Sequence, residues 1–375
     1  MTRMKVAVIG GGIAGVTTAY GLARRGSNVT LVDGATTGQA TAASAGIIAP
    51  WVSSSDGAFY EAYSAGGNYY PEFLAGLQNL GIPELGYRRS GALMVSREET
   101  ELDAVEDRVA RRIAESGPVA GELERVDSAQ VSNLFPALSS ELTGLYVSGG
   151  GRVDGRVLRN ATLTGAVIHG AEYREDSVVG IEPLRGNGWR VRMMLETTDV
   201  DVVVVAAGAK TPELLVPLRV QCAVSPQRGQ ITHLKLRGVN TSAWPTVHPF
   251  TPNYITPFDD GRIAVGATRE TGSGFDPRVT AAGQLQVLQD ALDLAPGLAD
   301  ASVIETRVGI RPMSDDNLPI VGNVPGMPGL WSVTGYGAGG LTLAPLLGDA
   351  IARGHSRRTR TGTCLVPNCH RKVTL

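Results

Sequence analysis

Residues 5–33 read KVAVIGGGIAGVTTAYGLARRGSNVTLVD, and the reading of the whole chain starts from them. Residues 5–9 are a short apolar run rich in β-branched side chains, the pattern of a strand buried on both faces. Gly10, Gly12 and Gly15 follow as G-x-G-x-x-G. Residues 13–25 carry a helical pattern that stops at Gly26, and 29–32 form a second buried strand ending on Asp33. Each part has a task. Gly10 permits the tight turn, Gly12 lets a pyrophosphate approach the backbone, and Gly15 lets the helix pack close to the strand. The helix N-terminus offers N–H groups and a partial positive charge to phosphates. Asp33 stands about 20 residues on, where a carboxylate reaches the ribose hydroxyls. In a chain with 48 glycines the motif alone is weak. Placed between strand and helix, with the acid in register, it predicts an adenine dinucleotide site. Whether that dinucleotide is FAD or NAD the stretch leaves open.

The chain has 375 residues, enough for two domains. Its net charge of −2 makes no electrostatic case for nucleic acid or an anionic membrane. The three cysteines, Cys222, Cys364 and Cys369, are too few and too unevenly placed for a disulfide scaffold, which suits a reducing cytoplasm. The apolar N-terminal run is interrupted by glycines and starts a nucleotide fold, so it does not read as a signal peptide. No run of about 18 apolar residues suggests a membrane span.

Residues 34–50, GATTGQATAASAGIIAP, are small and nearly uncharged, and end on apolar Ile47 and Ile48. They read as a backbone-rich loop lying along a cofactor rather than a linker. Helices are expected at 57–80, 97–116, 127–134 and 154–169. Residues 200–214, VDVVVVAAGAKTPEL, are a buried strand stopping on a small-residue turn, again a ligand-binding feature. Strands at 219–237, a hairpin over 252–269, a helix from 281 to 294 and a strand over 303–310, broken at Arg311-Pro312, follow. Two short strands at 318–322 and 330–333 lead to a second glycine-rich turn, 335–340, and a last helix, 341–352. There is no internal repeat. Nucleotide-fold material therefore opens and closes the chain, and antiparallel material interrupts it. The expected organisation is a discontinuous nucleotide domain (1–50, 141–218, 300–353), a substrate domain (51–140, 219–299) and a disordered basic tail (354–375). Cys364, Cys369 and His370 in that tail do not make a four-ligand zinc site, so no metal is expected.

Hydrolytic devices are missing: there is no G-x-S-x-G and no H-E-x-x-H. The five histidines share no ligand spacing, and His248, in a Pro-flanked segment, reads as a surface residue. A redox cofactor would need no strong base. Arg307 and Arg311 then draw attention. Four apart on a strand, they face one side, and a guanidinium is a good bidentate partner for a carboxylate. A surface salt bridge to Asp315 or Asp316 is the competing reading.

Taken together, VIGGGIAGVTTAYGLARRG with Asp33, TAASAGIIAP, VDGRVLRNA, VVVVAAGAKTPEL, PQRGQI, YITPFDDGRIAVGATRE, RVGIRPMSDDNLPIVG and GYGAGGLTLAP make the chain resemble a known family. It is similar, over about residues 4–353, to the D-amino acid oxidase and glycine oxidase superfamily of FAD-dependent amine oxidoreductases, which includes D-amino acid dehydrogenases. The last three segments are the most specific. The resemblance implies an α/β fold: a Rossmann-like FAD-binding domain with an inserted α+β substrate domain built on a large antiparallel sheet. It implies FAD as the cofactor. It assigns the substrate carboxylate to Arg311, in Gly309-Ile310-Arg311-Pro312, and to Tyr254, in Tyr254-Ile255-Thr256-Pro257. It carries cofactor contacts onto Gly10, Gly12, Ala14, Gly15, Asp33, Thr41, Ser44, Ala45, Gly46, Ile47, Val178, Gly208, Arg307, Gly335, Gly337, Gly339, Gly340, Leu341 and Thr342.

Two departures bear on chemistry. The closing turn 335–340 lacks the Arg or His that many members carry there. Ala43 stands where some relatives place a flavin-linking His, and no Cys lies near Arg311, so the FAD is expected to be non-covalent. The implied reaction is hydride transfer from Cα of an amino acid to flavin N5, with the imine hydrolysing to a keto acid and ammonia. Oxygen or another acceptor takes the electrons. An oxidase of secondary or cyclic amines and a non-catalytic flavin-binding subunit are the alternatives. A homo-oligomer is possible, and a dehydrogenase could sit at the membrane periphery.

Overall fold

In the computed structural model, which describes residues 3–356 and 373–374, the Lys5–Ile9 strand lies at the centre of a six-stranded sheet. Asn28–Val32 pairs with it on one side and Val202–Val205 on the other, both parallel. Glu172–Arg174 extends the sheet beyond Asn28–Val32; Leu330–Thr334 and then Ile320–Asn323 extend it beyond Val202–Val205. Only the last pair is antiparallel. The strand order reverses at Lys5–Ile9, which puts a crevice at the carboxyl ends of the central strands. Valines at 202–205 are all buried, each worth roughly 1.5–3 kcal/mol relative to exposure.

The run 197–205 does not form one strand. Thr197–Val200 pairs with Trp189–Met193 in a separate three-stranded sheet, while Val202–Val205 joins the parallel one. Asp201 is the crossing point. Its N–H donates to the Lys5 carbonyl, and its carboxylate accepts from the Lys5 N–H at 2.7 Å.

A nine-stranded sheet faces the crevice. Its spine is Val224–Lys235, paired antiparallel with Arg262–Gly266 on one edge and with Ser302–Ser314 on the other. Tyr254–Pro257 forms the expected hairpin with Arg262–Gly266. Thr246–Pro249 then runs parallel to Ala92–Ser96, the one parallel pair among antiparallel neighbours. Thr143–Val147 and Ser302–Ser314, which the sequence reading grouped with the nucleotide part, both belong to this sheet because they ladder onto Ala92–Ser96 and Val224–Lys235.

Ser302–Ser314 also passes through Arg311-Pro312 without breaking. Pro312 stands opposite Pro226, so neither strand asks the other for a missing N–H at that rung. The Pro312 carbonyl instead accepts from the Gly337 N–H at 3.0 Å, tying the strand to the closing turn.

The helices Ile13–Ala23, Gly57–Gln78, Gly155–Ile168 and Gly340–Ser356 cover one face of the parallel sheet, and their apolar sides form the largest core. Asp154 caps the Gly155–Ile168 helix through the Arg156 and Val157 N–H groups. A second core lies between the large sheet and Ala281–Leu294. Among the described residues no helix is long and apolar enough to cross a membrane, and no group of three or more His, Cys, Asp or Glu could hold a metal. Cys364, Cys369 and His370 lie outside the described residues.

Candidate active site

A cavity of about 1260 Å³ opens between the carboxyl ends of the parallel strands and the large sheet. That exceeds the roughly 300–1,000 Å³ of a pocket for one small ligand and leaves room for a dinucleotide with a substrate.

The nucleotide end is built by close backbone approach. A Cβ on Gly15 would lie 1.8 Å from the Gly10 carbonyl oxygen, so only glycine lets this helix sit on the turn. A Cβ on Gly12 would meet nothing nearer than Thr41 Oγ1 at 3.4 Å, which leaves the backbone there open to the cavity. Gly12 caps the Ile13–Ala23 helix without a side chain, and Thr41 supplies the missing acceptor: its Oγ1 takes the Ile13 N–H at 3.0 Å. The 34–50 loop therefore closes over the helix start, and most of its residues line the cavity.

Asp33 reaches the wall, but it is not free. Nη2 of Arg159 donates to its Oδ2 at 3.1 Å, while Nε of the same arginine donates to the Gly11 carbonyl at 2.7 Å. Gln39 Nε2 reaches the same Oδ2 at 3.5 Å. Sequence reading did not find Arg159. It comes from a helix 126 residues away, and only its place inside VDGRVLRNA could have drawn attention to it.

Of the residues assigned to the cofactor, Gly10, Gly12, Ala14, Asp33, Thr41, Ser44, Ala45, Gly46, Ile47, Val178, Gly208, Gly337, Gly340, Leu341 and Thr342 line the cavity. Gly15, Gly335 and Gly339 lie behind the wall. Arg307 is also off the wall. Its guanidinium is taken by Glu305, with Nε to Oε1 at 2.8 Å, and Nη1 reaches the Ala42 carbonyl at 3.4 Å. It braces the 34–50 loop from outside the cavity.

Arg311 stands on the wall, and no carboxylate among the described residues pairs with it. The salt bridge to Asp315 or Asp316 does not form. Nη1 donates instead to the Thr268 carbonyl at 3.1 Å and to Gln227 Oε1 at 3.2 Å. The Tyr254 hydroxyl stands beside the guanidinium. Burial lowers Arg311 from the usual arginine value and raises the Tyr254 phenol, so at neutral pH the pair is a cation beside a neutral hydroxyl.

His248 is not a surface residue. The Thr246–Pro249 strand places it on the cavity wall, with Nε2 at 2.9 Å from Thr246 Oγ1. Burial pushes its pKa down to about 4, so the ring is neutral at physiological pH. Arg108 and Arg269 line the same end of the cavity and were not singled out from sequence.

A parallel nucleotide sheet whose crevice opens onto a wall carrying Arg311 and Tyr254 is the architecture of a dinucleotide-dependent oxidoreductase. The comparisons agree. The DAO family, described as FAD dependent oxidoreductase, matches residues 5–353, and the chain belongs to that family. The cofactor is FAD. The chain is 40% identical over 350 residues to the uncharacterized oxidoreductase YurR of Bacillus subtilis (strain 168), covering 92% of this chain and 93% of the relative. It is 30% identical over 369 residues to glycine oxidase of Pseudomonas aeruginosa, covering 93% and 94%. Among solved structures, iminodiacetate oxidase (IdaA) from Chelativorans sp. BNC1 is 44% identical with a TM-score of 0.89, covering 92% of this chain and 94% of that one. The open backbone at Gly12 and the glycine turn leave room for a pyrophosphate, and the Asp33 carboxylate on the wall is an acceptor for ribose hydroxyls, so the residues present fit FAD.

Proposed function

We propose that the protein oxidises the C–N bond of a small amine that carries a carboxylate, an amino acid or an N-substituted glycine. The observation that carries this reading is Arg311: a guanidinium on the cavity wall, held by backbone and amide acceptors, beside Tyr254 and without a carboxylate partner. Such a group leaves its charge for a ligand, and a carboxylate is the anion its fork fits. The reading assigns the six-stranded sheet to FAD and the nine-stranded sheet to the substrate.

When bound, FAD supplies the two-electron acceptor for the hydride from the substrate Cα. The chain supplies position. Arg311 and Tyr254 hold the carboxylate, which fixes the orientation of the adjacent Cα–H. His248, neutral and hydrogen-bonded to Thr246, adds no cation to the wall that would disfavour the amine. No residue on this wall is needed as a strong base, because the reactive amine enters as the neutral form. Iminodiacetate oxidase as a relative, and the small Ala338 in the closing turn, favour a secondary amine over a primary D-amino acid.

The test is anaerobic addition of glycine, D-alanine, N-methylglycine, proline and iminodiacetate to the purified flavoprotein. Loss of the oxidised flavin absorbance with at least one is the expected result. A flavin that stays oxidised with all of them would leave the non-catalytic subunit as the better reading.

A further inference from the structure

The charged side chains on the cavity wall are segregated. Asp33, Asp176, Lys210 and Glu213 come from the segments that follow the parallel strands. Arg108, Arg269 and Arg311 come from the other end, and no Asp or Glu lines the cavity there. One carboxylate on Arg311 would neutralise one of these charges.

Arg269 is the nearer of the remaining two. It follows Thr268, whose carbonyl holds Arg311, so the Arg269 backbone adjoins the anchor of the Arg311 guanidinium, which itself comes from the Ser302–Ser314 strand. It is exposed to the cavity and has no ion pair or hydrogen bond among the described residues. The adjacent carboxylate, Glu270, is not available to it: Glu270 accepts from Arg228, Gln230 and Thr268. Arg269 is close enough for its charge to act on both Arg311 and Tyr254. Arg108, also on the wall, has its Nε buried with no hydrogen-bond partner and adds a third positive charge to this lining.

We propose that the substrate is a dianionic amine, with one carboxylate on Arg311 and Tyr254 and the second on Arg269. This rests on the C–N oxidation reading and narrows it. An iminodicarboxylate fits the wall well, since its nitrogen lies between two carboxylates. For iminodiacetate, a hydride leaves one methylene carbon and a proton leaves nitrogen, forming a C=N bond. The hydride reduces FAD, and oxygen or another two-electron acceptor reoxidises it. Water adds across C=N and splits it to glyoxylate and glycine. Each product keeps one carboxylate, so each loses the second contact and leaves more readily. An acidic D-amino acid presents the same two anions on one carbon chain, so both arrangements belong in the test.

The experiment pairs each dianion with its monoanion: iminodiacetate with N-methylglycine, and D-aspartate with D-alanine. The wild-type kcat/KM should favour the dianion in at least one pair by about tenfold or more. Arg269→Met should lower that ratio by about 10- to 100-fold, with Arg269→Lys recovering part of it. A second readout needs no turnover. Malonate should perturb the bound-flavin spectrum at lower concentration than acetate, and Arg269→Met should abolish that preference. A wild type that prefers the monoanion in both pairs, or ratios and malonate binding unmoved by Arg269→Met, overturns the inference while C–N oxidation stands. If no amine reduces the flavin, both readings fall.

Discussion

The carbonyl oxygen of Thr268 accepts a hydrogen bond from Nη1 of Arg311 at 3.1 Å. With Gln227 on the same nitrogen, this fixes the plane of the guanidinium before any ligand arrives. Preorganisation of this kind depends on the planar fork, which lysine lacks. Arg311→Lys should lower kcat/KM by about 10²- to 10³-fold while FAD content stays near that of the wild type. Steady-state kinetics beside the flavin absorbance ratio would show it, and wild-type kinetics in the variant would remove Arg311 from the substrate site.

Gly229 makes room for that guanidinium. It pairs with Gly309 across the sheet, and a Cβ built on it would lie 2.4 Å from Nη2 of Arg311. Gly229→Ala keeps the ladder but pushes the arginine off its acceptors. The expected outcome is a rise in KM of about tenfold or more, with the circular dichroism unchanged.

Arg159 spans the two halves of the nucleotide motif through the Gly11 carbonyl and Asp33. Arg159→Met removes that brace and leaves a carboxylate at the wall without its cation. FAD affinity should fall by about tenfold or more, measured by reconstituting apoprotein and following the quenching of flavin fluorescence.

The wall offers no group to bond the flavin covalently at the places relatives use. Ala43 lines the cavity, and Cys222, the free cysteine among the described residues, lies off the wall with its thiol pushed up to about 11 by burial. Acid precipitation should leave the FAD in the supernatant. Flavin fluorescence that stays with the denatured polypeptide on a gel would contradict this.

His233 is fully buried in the spine of the large sheet. Arg262, which can only donate, lies 3.4 Å from Nδ1, so the proton sits on Nε2. Burial first, then the charges of Arg307 and Arg262, pushes the pKa down to about 3. The unfolded chain, with an ordinary histidine value near 6.5, takes up the proton first as pH falls. The stability His233 contributes is therefore complete above pH 6.5 and is lost on acidification from about 6.5 towards 3, at no more than about 1.4 kcal/mol per pH unit for one proton. His233→Asn keeps an acceptor for Arg262 and does not titrate. Its melting temperature should fall less steeply than the wild type's between pH 6.5 and 4.

Much of the fold was legible because its signals are local. Gly10, Gly12 and Gly15 need no partner to be read, since a turn, an approach and a helix contact each forbid a side chain for reasons present within 30 residues. The same is true of the Tyr254 hairpin, which forms where its turn predicted it. The errors lie where two distant segments decide. Nothing in VDVVVV marks Asp201 as the point where the chain changes sheets, because the decision is made by hydrogen bonds to Lys5. Nothing in RP says that Pro312 continues a strand, because the reason is Pro226 opposite. His248 reads as a surface residue in sequence because the Ala92–Ser96 strand beside it, with Met94 opposite, lies 154 residues earlier.

The sequence by itself determined the dinucleotide fold, because periodicity and glycine placement act over single elements; its spacing left Arg307 and Arg311 as equal candidates, and only the resemblance of Gly309-Ile310-Arg311-Pro312 to the family's motif pointed to Arg311 for the substrate. The tertiary structure alone decided which charges meet. It gave Arg159 to Asp33, took Arg307 out of the cavity, and set Arg269 beside Arg311 with no carboxylate between them. Charge acts through space, and chain distance carries no record of it.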